Sequence, residues 1–397
     1  MAGQLLTQPN SLELIRWTDA AGEPLRPAEE ATAPPGAAGV AYPVELPRVG
    51  RAYLWASYTA GHAKSSALEY KLAARYLEAA GALIKRYARR GVPMEQAQAH
   101  WQAAQAHWRA EAWHACLSES VLAAEQSAVA LARTRLQRMG GHAALLWGIV
   151  AQEPSTLVAG LESNLAALSS VHALMREPDS AWSEAFRQAQ SARLAVGAAL
   201  TASPLPNALA LSQAIAAYRG QVRYWCLATQ IQQLPPTKET LNRLGELSEQ
   251  ARAADVGVLR VLHGVHSWHA HYSPYRVLEA CVDAGIPFEL IQLEWHWYDG
   301  SLYDLDQLLE RYGELGKPMQ VMLHMPPEGG WNDFKRTEPL SWVEGAALIA
   351  LSKPYVVAIY VPAAATDSSA GALESDAKAT PYWHQIAQVA AWNRQLS

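Results

Sequence analysis

Short apolar segments alternate with helical patterns over the last two thirds of the chain. Four clear helical patterns lie at 238–254, 274–284, 303–315 and 341–351. The apolar, strand-like segments lie at 143–150, 170–175, 193–201, 221–228, 256–262, 288–295, 318–325 and 355–361. Such alternation is typical of a parallel sheet covered by helices, and eight units within 140–397 predict an α/β fold, a (β/α)8 barrel of the TIM type. A doubly wound open sheet is the alternative, although no glycine-rich phosphate loop follows a strand.

The first third of the chain has a different pattern. Residues 65–139 are nearly free of Gly and Pro, and their main interruption is Arg-Gly-Val-Pro at 90–93. This predicts two long helices that form an antiparallel hairpin. Residues 1–57 are rich in Pro and Gly with short apolar runs, which predicts a small β-rich module. The expected domains are therefore 1–57, 58–139 and 140–397.

Composition and charge narrow the function classes. Half of the 397 residues are hydrophobic, 17% are charged and the net charge is −5, which argues against a nucleic-acid-binding surface. No apolar run is long enough to predict a membrane span. The first residues lack a basic region followed by an apolar one, so no signal peptide is evident and a cytoplasmic location is expected. Three widely spaced cysteines give no disulfide framework, and no cofactor is indicated.

The aromatic residues are unevenly chosen. Fifteen Trp and sixteen Tyr stand against three Phe. Trp and Tyr combine a flat apolar face with a polar atom, which suits contact with polyhydroxylated ligands. A compositional bias of an alanine-rich protein explains the same numbers equally well.

Four segments, in the same order, resemble parts of glycoside hydrolase family 10, the xylanase-like barrels. Tyr-Arg-Gly-Gln-Val-Arg-Tyr-Trp at 218–225 resembles the family's fourth strand, and Ile-Gln-Leu-Glu-Trp-His at 291–296 resembles its sixth. Leu-Gly-Lys-Pro-Met-Gln-Val at 315–321 resembles the seventh strand, and 371–383 the closing segment. The resemblance extends from about Gly140 to the end and implies a glycosidase-like barrel with its site at the strand ends.

Both catalytic carboxylates of that family are replaced. By the resemblance, Gln230 stands at the position of the general acid/base and Leu323 at that of the nucleophile. Retaining glycosidases need two carboxyl groups about 5–5.5 Å apart. An amide does not deliver a proton at neutral pH, and a leucine neither attacks nor holds charge. Neither 229–233 nor 320–327 contains an acidic residue, so a shifted alignment restores neither group.

Polar and aromatic residues nevertheless collect at the predicted strand ends. His296 matches a site histidine of the family, and Glu294 stands where the family has Gln. The two are separated by one residue, so they point to the same side of a strand. Six of the thirteen histidines fall between residues 263 and 324.

Three interpretations of this cluster remain open. The first is a sugar-binding cleft, with Tyr360 in place of a tryptophan of the family; its candidate residues are Trp225, Gln230, His263, His266, Trp268, Glu294, His296, Trp297, His324, Trp331 and Tyr360. In the second, Glu294, His296, His324 and either His263 or His266 surround a metal such as zinc or iron. In the third, the histidines are hydrogen-bonded residues of a barrel mouth that holds no ligand.

Three functions are carried forward. The leading hypothesis is a catalytically impaired or inactive glycosidase-like protein that binds an oligo- or polysaccharide, such as a xylan-like β-glycan. The second is an active hydrolase that uses a bound metal or a relocated carboxylate, Glu294; its candidate partners are Asp299, Glu328, Asp333 and Glu338. The third is a scaffold in which the helical hairpin docks a protein partner.

Overall fold

The computed structural model divides the chain into two compact units. It describes residues 2–7, 12–19, 40–45, 52–58, 66–142, 145–266, 272–297, 299–326, 338–365, 369–375 and 377–396. One unit is Met1–Arg86 with Glu95–Ala124, and the other is Tyr87–Met94 with Glu125–Ser397. Among the described residues, no helix has the length and apolar character needed to cross a membrane.

The first unit contains short strands followed by helices. The four strands are β1 (Ala2–Thr7), β2 (Leu12–Asp19), β3 (Val40–Glu45) and β4 (Ala52–Tyr58). Strand β1 pairs with β3 and β2 with β4, both antiparallel. The helices that follow along the chain are α1 (Ser66–Ala88), α2 (Glu95–Arg109) and α3 (Trp113–Met139). The end of α1 and the part of α3 from Glu125 onward belong to the second unit.

Three helices lie where the sequence predicted two, so that expectation was wrong. Glu111 takes a left-handed conformation with φ 56°, and the Ala112 amide donates to the His107 carbonyl at 3.0 Å, which ends α2. The Trp108 and Trp113 rings meet edge to face across this break, with centroids 4.9 Å apart. Residues 110–112 are Ala-Glu-Ala, so no glycine or proline marks the break in the sequence.

The second unit is a closed eight-stranded parallel barrel, as the sequence predicted. Its strands are β5 (Leu146–Ala151), β6 (Ser170–Met175), β7 (Ala195–Leu200), β8 (Tyr224–Ala228), β9 (Leu259–His266), β10 (Leu290–His296), β11 (Met319–His324) and β12 (Val356–Pro362). They are hydrogen-bonded in sequence order, and β12 pairs with β5 to close the barrel. The helices of the barrel are α4 (Pro154–Glu162), α5 (Ser180–Ser191), α6 (Ala208–Ala217), α7 (Lys238–Ala254), α8 (Pro274–Asp283), α9 (Leu302–Gly313), α10 (Pro339–Leu351) and α11 (Pro381–Leu396).

Small residues on the strands make room for large polar side chains inside the barrel. A Cβ atom on Gly148 would lie 2.4 Å from the Tyr360 ring, and one on Gly197 would lie 2.5 Å from Nδ1 of His172. The Tyr360 hydroxyl lies 2.7 Å from Oγ of Ser170 in this buried interior. The interior is therefore a packed core with polar members, as in other barrels of this type, and not an open pore.

A partly buried ion cluster links Lys353, just after α10, to residues of α9 and α3 in the barrel unit. The Lys353 ammonium, 1% exposed, lies 2.5 Å from Oδ1 of Asp306 and 2.6 Å from Oε1 of Glu310. Nη1 of Arg135 lies 2.6 Å from the same Glu310 oxygen. Each buried charge of the cluster thus faces an opposite charge.

Candidate functional site

The carboxyl ends of β9, β10 and β11 bring one carboxylate and three imidazoles together. Residues at positions i and i+2 of a strand share a face, so Glu294 and His296 both point toward the barrel axis. His324 is the register partner of His296 on β11, and His263 is the partner of Gln292 on β9. In barrels of this type, the carboxyl ends of the strands form the functional face.

Glu294 is the centre of this cluster. Its Oε1 lies 2.9 Å from Nε2 of His296 and 2.9 Å from Nε2 of His324. Its Oε2 lies 3.1 Å from Nε2 of His263. The His296 and His324 rings stack with centroids 4.0 Å apart and an interplanar angle of 17°. The side chains of Glu294, His296 and His324 are 15%, 13% and 16% exposed, so the mouth gives limited access to them.

A backbone amide orients His263. The Gln230 N–H donates to Nδ1 of His263 at 3.4 Å. Because Nδ1 accepts this bond, the imidazole hydrogen lies on Nε2, which donates to Glu294. Gln230 presents its amide toward His263 from a left-handed conformation with φ 52°. Its exposed side chain accepts a bond from Nε2 of Gln233 at 2.5 Å.

The local environment shifts the pKa values of the two carboxyl groups of the site in opposite directions. Burial alone would raise the pKa of Glu294, but the surrounding imidazoles outweigh it and hold this pKa well below its usual range. Asp299 shows the opposite balance: burial raises its pKa to about 7, against the lowering effect of His296. Its Oδ2 accepts the backbone N–H of His296 at 3.1 Å, and the residue is 0% exposed. At neutral pH, Glu294 is a carboxylate and Asp299 is partly protonated.

Three of the predicted residues point away from the cluster. Leu323 precedes His324 on β11, so it lies on the face turned to the helices, and it is 1% exposed. Trp225, 0% exposed, also faces the helices and stacks on the Tyr218 ring with centroids 6.3 Å apart. His266 lies on the opposite face from His263, where its ring stacks on Trp295 at 5.3 Å.

The other predicted residues have different placements. Tyr360 lies in the closed interior, 0% exposed. Trp297 is buried just after β10, and its amide donates to the His324 carbonyl at 3.0 Å. Trp268 and Trp331 lie outside the described residues, as do Glu328 and Asp333. Glu338 is described and precedes α10 at its N-cap.

The sequence did not single out two residues of the mouth. Gln232 is buried, and its Oε1 accepts the Val265 amide at 3.0 Å. Tyr272 is 37% exposed, and its amide donates to the Gln232 carbonyl at 2.9 Å, which joins the loops after β8 and β9. A tyrosine before the helix-starting Ser-Pro at 273–274 was the available signal for Tyr272, whereas a glutamine in a Gln-rich run gave none for Gln232.

Comparison with known proteins finds similarity only among solved structures. No family model matches the chain, and no curated protein matches it. Similar solved structures include xylanase XynB from Paenibacillus barcinonensis, at 13% identity and a TM-score of 0.48 over 61% of this chain and 95% of that one. A Thermobacillus composti xylanase of glycoside hydrolase family 10 has 12% identity and a TM-score of 0.46 over 62% and 97%. The family 53 catalytic domain from Ignisphaera aggregans has 12% identity and a TM-score of 0.46 over 62% and 96%.

Proposed function

We propose that this protein binds carbohydrate at the mouth of its barrel and does not cleave glycosidic bonds by the two-carboxylate mechanism. The observation that carries the proposal is the state of Glu294, whose two oxygens both lie against imidazole nitrogens at 2.9–3.1 Å. A nucleophile in a retaining glycosidase needs a free oxygen that faces the anomeric carbon. The site instead holds a fixed set of polar groups of the kind that recognise hydroxyl groups.

The pKa values of Glu294 and Asp299 differ as those of a nucleophile and a general acid do, but a substrate cannot reach the buried Asp299 side chain. An ionised carboxylate beside a carboxyl group whose pKa is about 7 is a pattern found in acid–base enzymes. A general acid must come within hydrogen-bonding distance of the leaving oxygen. The Asp299 side chain is 0% exposed and faces the His296 backbone, which supports a site without that acid.

The cluster and the loops after β8 and β9 carry groups suited to a sugar. The partly exposed His296 and His324 offer polar contacts at the floor of the mouth. Tyr272, 37% exposed on the loop after β9, offers a ring face. Gln230 adds an exposed amide on the loop after β8. An aromatic face together with fixed hydrogen-bonding groups matches the mixed surface of a sugar ring.

Calorimetric titration with xylo-, cello- and manno-oligosaccharides tests this proposal. We expect binding of at least one series and no release of reducing sugar. Tyr272→Ala should weaken binding about fivefold, the equivalent of about 1 kcal/mol for one aromatic contact. The matched control is Val256→Ala, which removes an exposed apolar side chain on the loop before β9, at the opposite end of the barrel.

Two results would overturn the proposal. One is the absence of binding by all three series at millimolar ligand. The other is hydrolysis that disappears in Glu294→Gln, since that would assign a catalytic role to the relocated carboxylate.

A further inference from the structure

We propose that Glu294, His296 and His324 form a binding site for a divalent metal ion of the zinc class. The site shares His296 and His324 with the proposed sugar-binding mouth, but metal binding at it does not require a sugar. It arises from three side chains on two neighbouring strands whose donor atoms all lie within 4.8 Å of one another.

The spacing of the donor atoms suits one shared ion. Zinc lies about 2.0–2.1 Å from imidazole nitrogen and carboxylate oxygen, so two ligand atoms at 90–109° around it are about 2.9–3.4 Å apart. Oε1 of Glu294 lies 2.9 Å from Nε2 of His296 and 2.9 Å from Nε2 of His324. Because the His296 and His324 rings stack at an interplanar angle of 17°, both must rotate before their Nε2 lone pairs converge on one ion.

The contact between His324 and Glu294 favours a bound metal ion over a simple hydrogen bond. Nε2 of His324 is buried and lies 2.9 Å from Oε1 of Glu294, within ion-pair distance but without the geometry of a regular hydrogen bond. An ion between His324 and Glu294 gives this nitrogen a partner through its lone pair, with the ring hydrogen on Nδ1.

His263 has the role of a positioning residue in this site. Its Nε2–H donates to Oε2 of Glu294 at 3.1 Å, while its Nδ1 accepts from the Gln230 amide at 3.4 Å. This chain of bonds holds the carboxylate with Oε1 turned to the two other imidazoles. Outer contacts of this kind orient the ligands in established metal sites.

The donor types select the class of metal. Two imidazoles and one carboxylate suit zinc, iron, cobalt or nickel, whereas calcium and magnesium prefer oxygen ligands alone. Three protein ligands leave at least one coordination position open. The three side chains are 13–16% exposed at the mouth of the barrel, although Nε2 of His324 itself is buried.

Metal titration of the full, untagged chain tests the site. After dialysis against a chelator, zinc chloride is titrated by calorimetry, and cobalt chloride is titrated by visible absorption. We expect one equivalent to bind and the cobalt spectrum to show nitrogen–oxygen ligation. Glu294→Gln and His324→Ala should each weaken zinc binding at least about tenfold, and His263→Ala about tenfold through loss of orientation. His384→Ala, which removes an exposed histidine on α11, is the matched control and should bind as the wild type does.

Circular dichroism of each variant separates lost binding from lost structure. Glu294→Gln keeps the shape of the side chain, so it serves as the decisive variant if His324→Ala fails to fold. The proposal is overturned if the wild type binds neither metal, or if folded Glu294→Gln binds zinc as tightly as the His384→Ala control. Sugar binding that survives chelation shows that the sugar does not need the metal, and the metal titrations decide the metal site.

Discussion

Replacing Asp299 with Asn should abolish a large pH dependence of stability. Asp299 is 0% exposed, its Oδ2 accepts the His296 amide, and its Oδ1 makes no hydrogen bond with any described residue. Burial raises its pKa to about 7 from an ordinary value of 3.8. An asparagine reproduces the shape and hydrogen bonding of the protonated acid, since its carbonyl oxygen can accept the same amide.

The magnitude follows from the difference between the folded and unfolded pKa. A rise of about 3 units, at about 1.36 kcal/mol per unit, makes the charged form about 4 kcal/mol less favourable in the folded protein. Because the folded protein binds the proton more tightly, this contribution to stability is fully present below about pH 4 and is lost as the pH rises through about 7. The neutral asparagine removes the loss, so Asp299→Asn should be more stable than wild type by up to about 4 kcal/mol at about pH 9, with near equality at about pH 4.

Urea unfolding at a series of pH values, followed by far-UV circular dichroism in a chelating buffer, measures this difference. Asp283→Asn removes an exposed aspartate of α8 and corrects for the loss of one charge. A gain in the free energy of unfolding that is the same at every pH would refute the reasoning, because a titrating group gives a gain that grows with pH. So would a variant less stable than wild type above neutral pH.

Two further substitutions test the barrel unit. Lys353→Met leaves Asp306 and Glu310 without their shared ammonium, and we expect a loss of about 3–5 kcal/mol in the free energy of unfolding, measured by urea titration. The exposed pair of Arg187 with Glu184 provides the comparison, because Arg187→Met should cost less than about 1 kcal/mol; equal losses would contradict the buried role of Lys353. Gly197→Ala places a Cβ atom 2.5 Å from the buried His172 ring. The melting temperature of the variant should fall, with a cost of about 1–3 kcal/mol in the free energy of unfolding. An unchanged melting temperature would show that the His172 side chain moves aside without cost.

The alternation of strands and helices was sufficient to predict the barrel. Every predicted strand of the barrel is present within three to four residues, and the helix over 238–254 begins and ends as predicted. Periodicity succeeds here because the strands are buried on both faces and most helices, such as α7, are buried on one. The break between α2 and α3 could not be predicted, since a left-handed Glu111 within Ala-Glu-Ala depends on packing and not on a breaker residue.

The sequence indicated which strand-end residues are neighbours only in part, and it did not give their geometry. Spacing along β10 placed Glu294 and His296 on one face, and the structure brings His324 to them. The choice between His263 and His266 needed the strand register, because an offset of three residues reverses the face. Asp299 was considered only as a loop carboxylate, since no pattern in the sequence shows that the turn after β10 folds back and buries its side chain.

The alternation of side chains along β11 determines which of its residues faces the site. The resemblance places Leu323 at the position of the second carboxylate, yet the residue that faces the site from β11 is His324, one position later. Restoring a carboxylate at Leu323 would therefore bury a charge against the helices and leave the mouth without a second acid. The carboxyl ends of β9, β10 and β11 together present one carboxylate and three imidazoles, so negative charge is scarce in the site and nitrogen donors are plentiful. A set of that kind has the donor atoms to hold a cation or to form hydrogen bonds with hydroxyl groups.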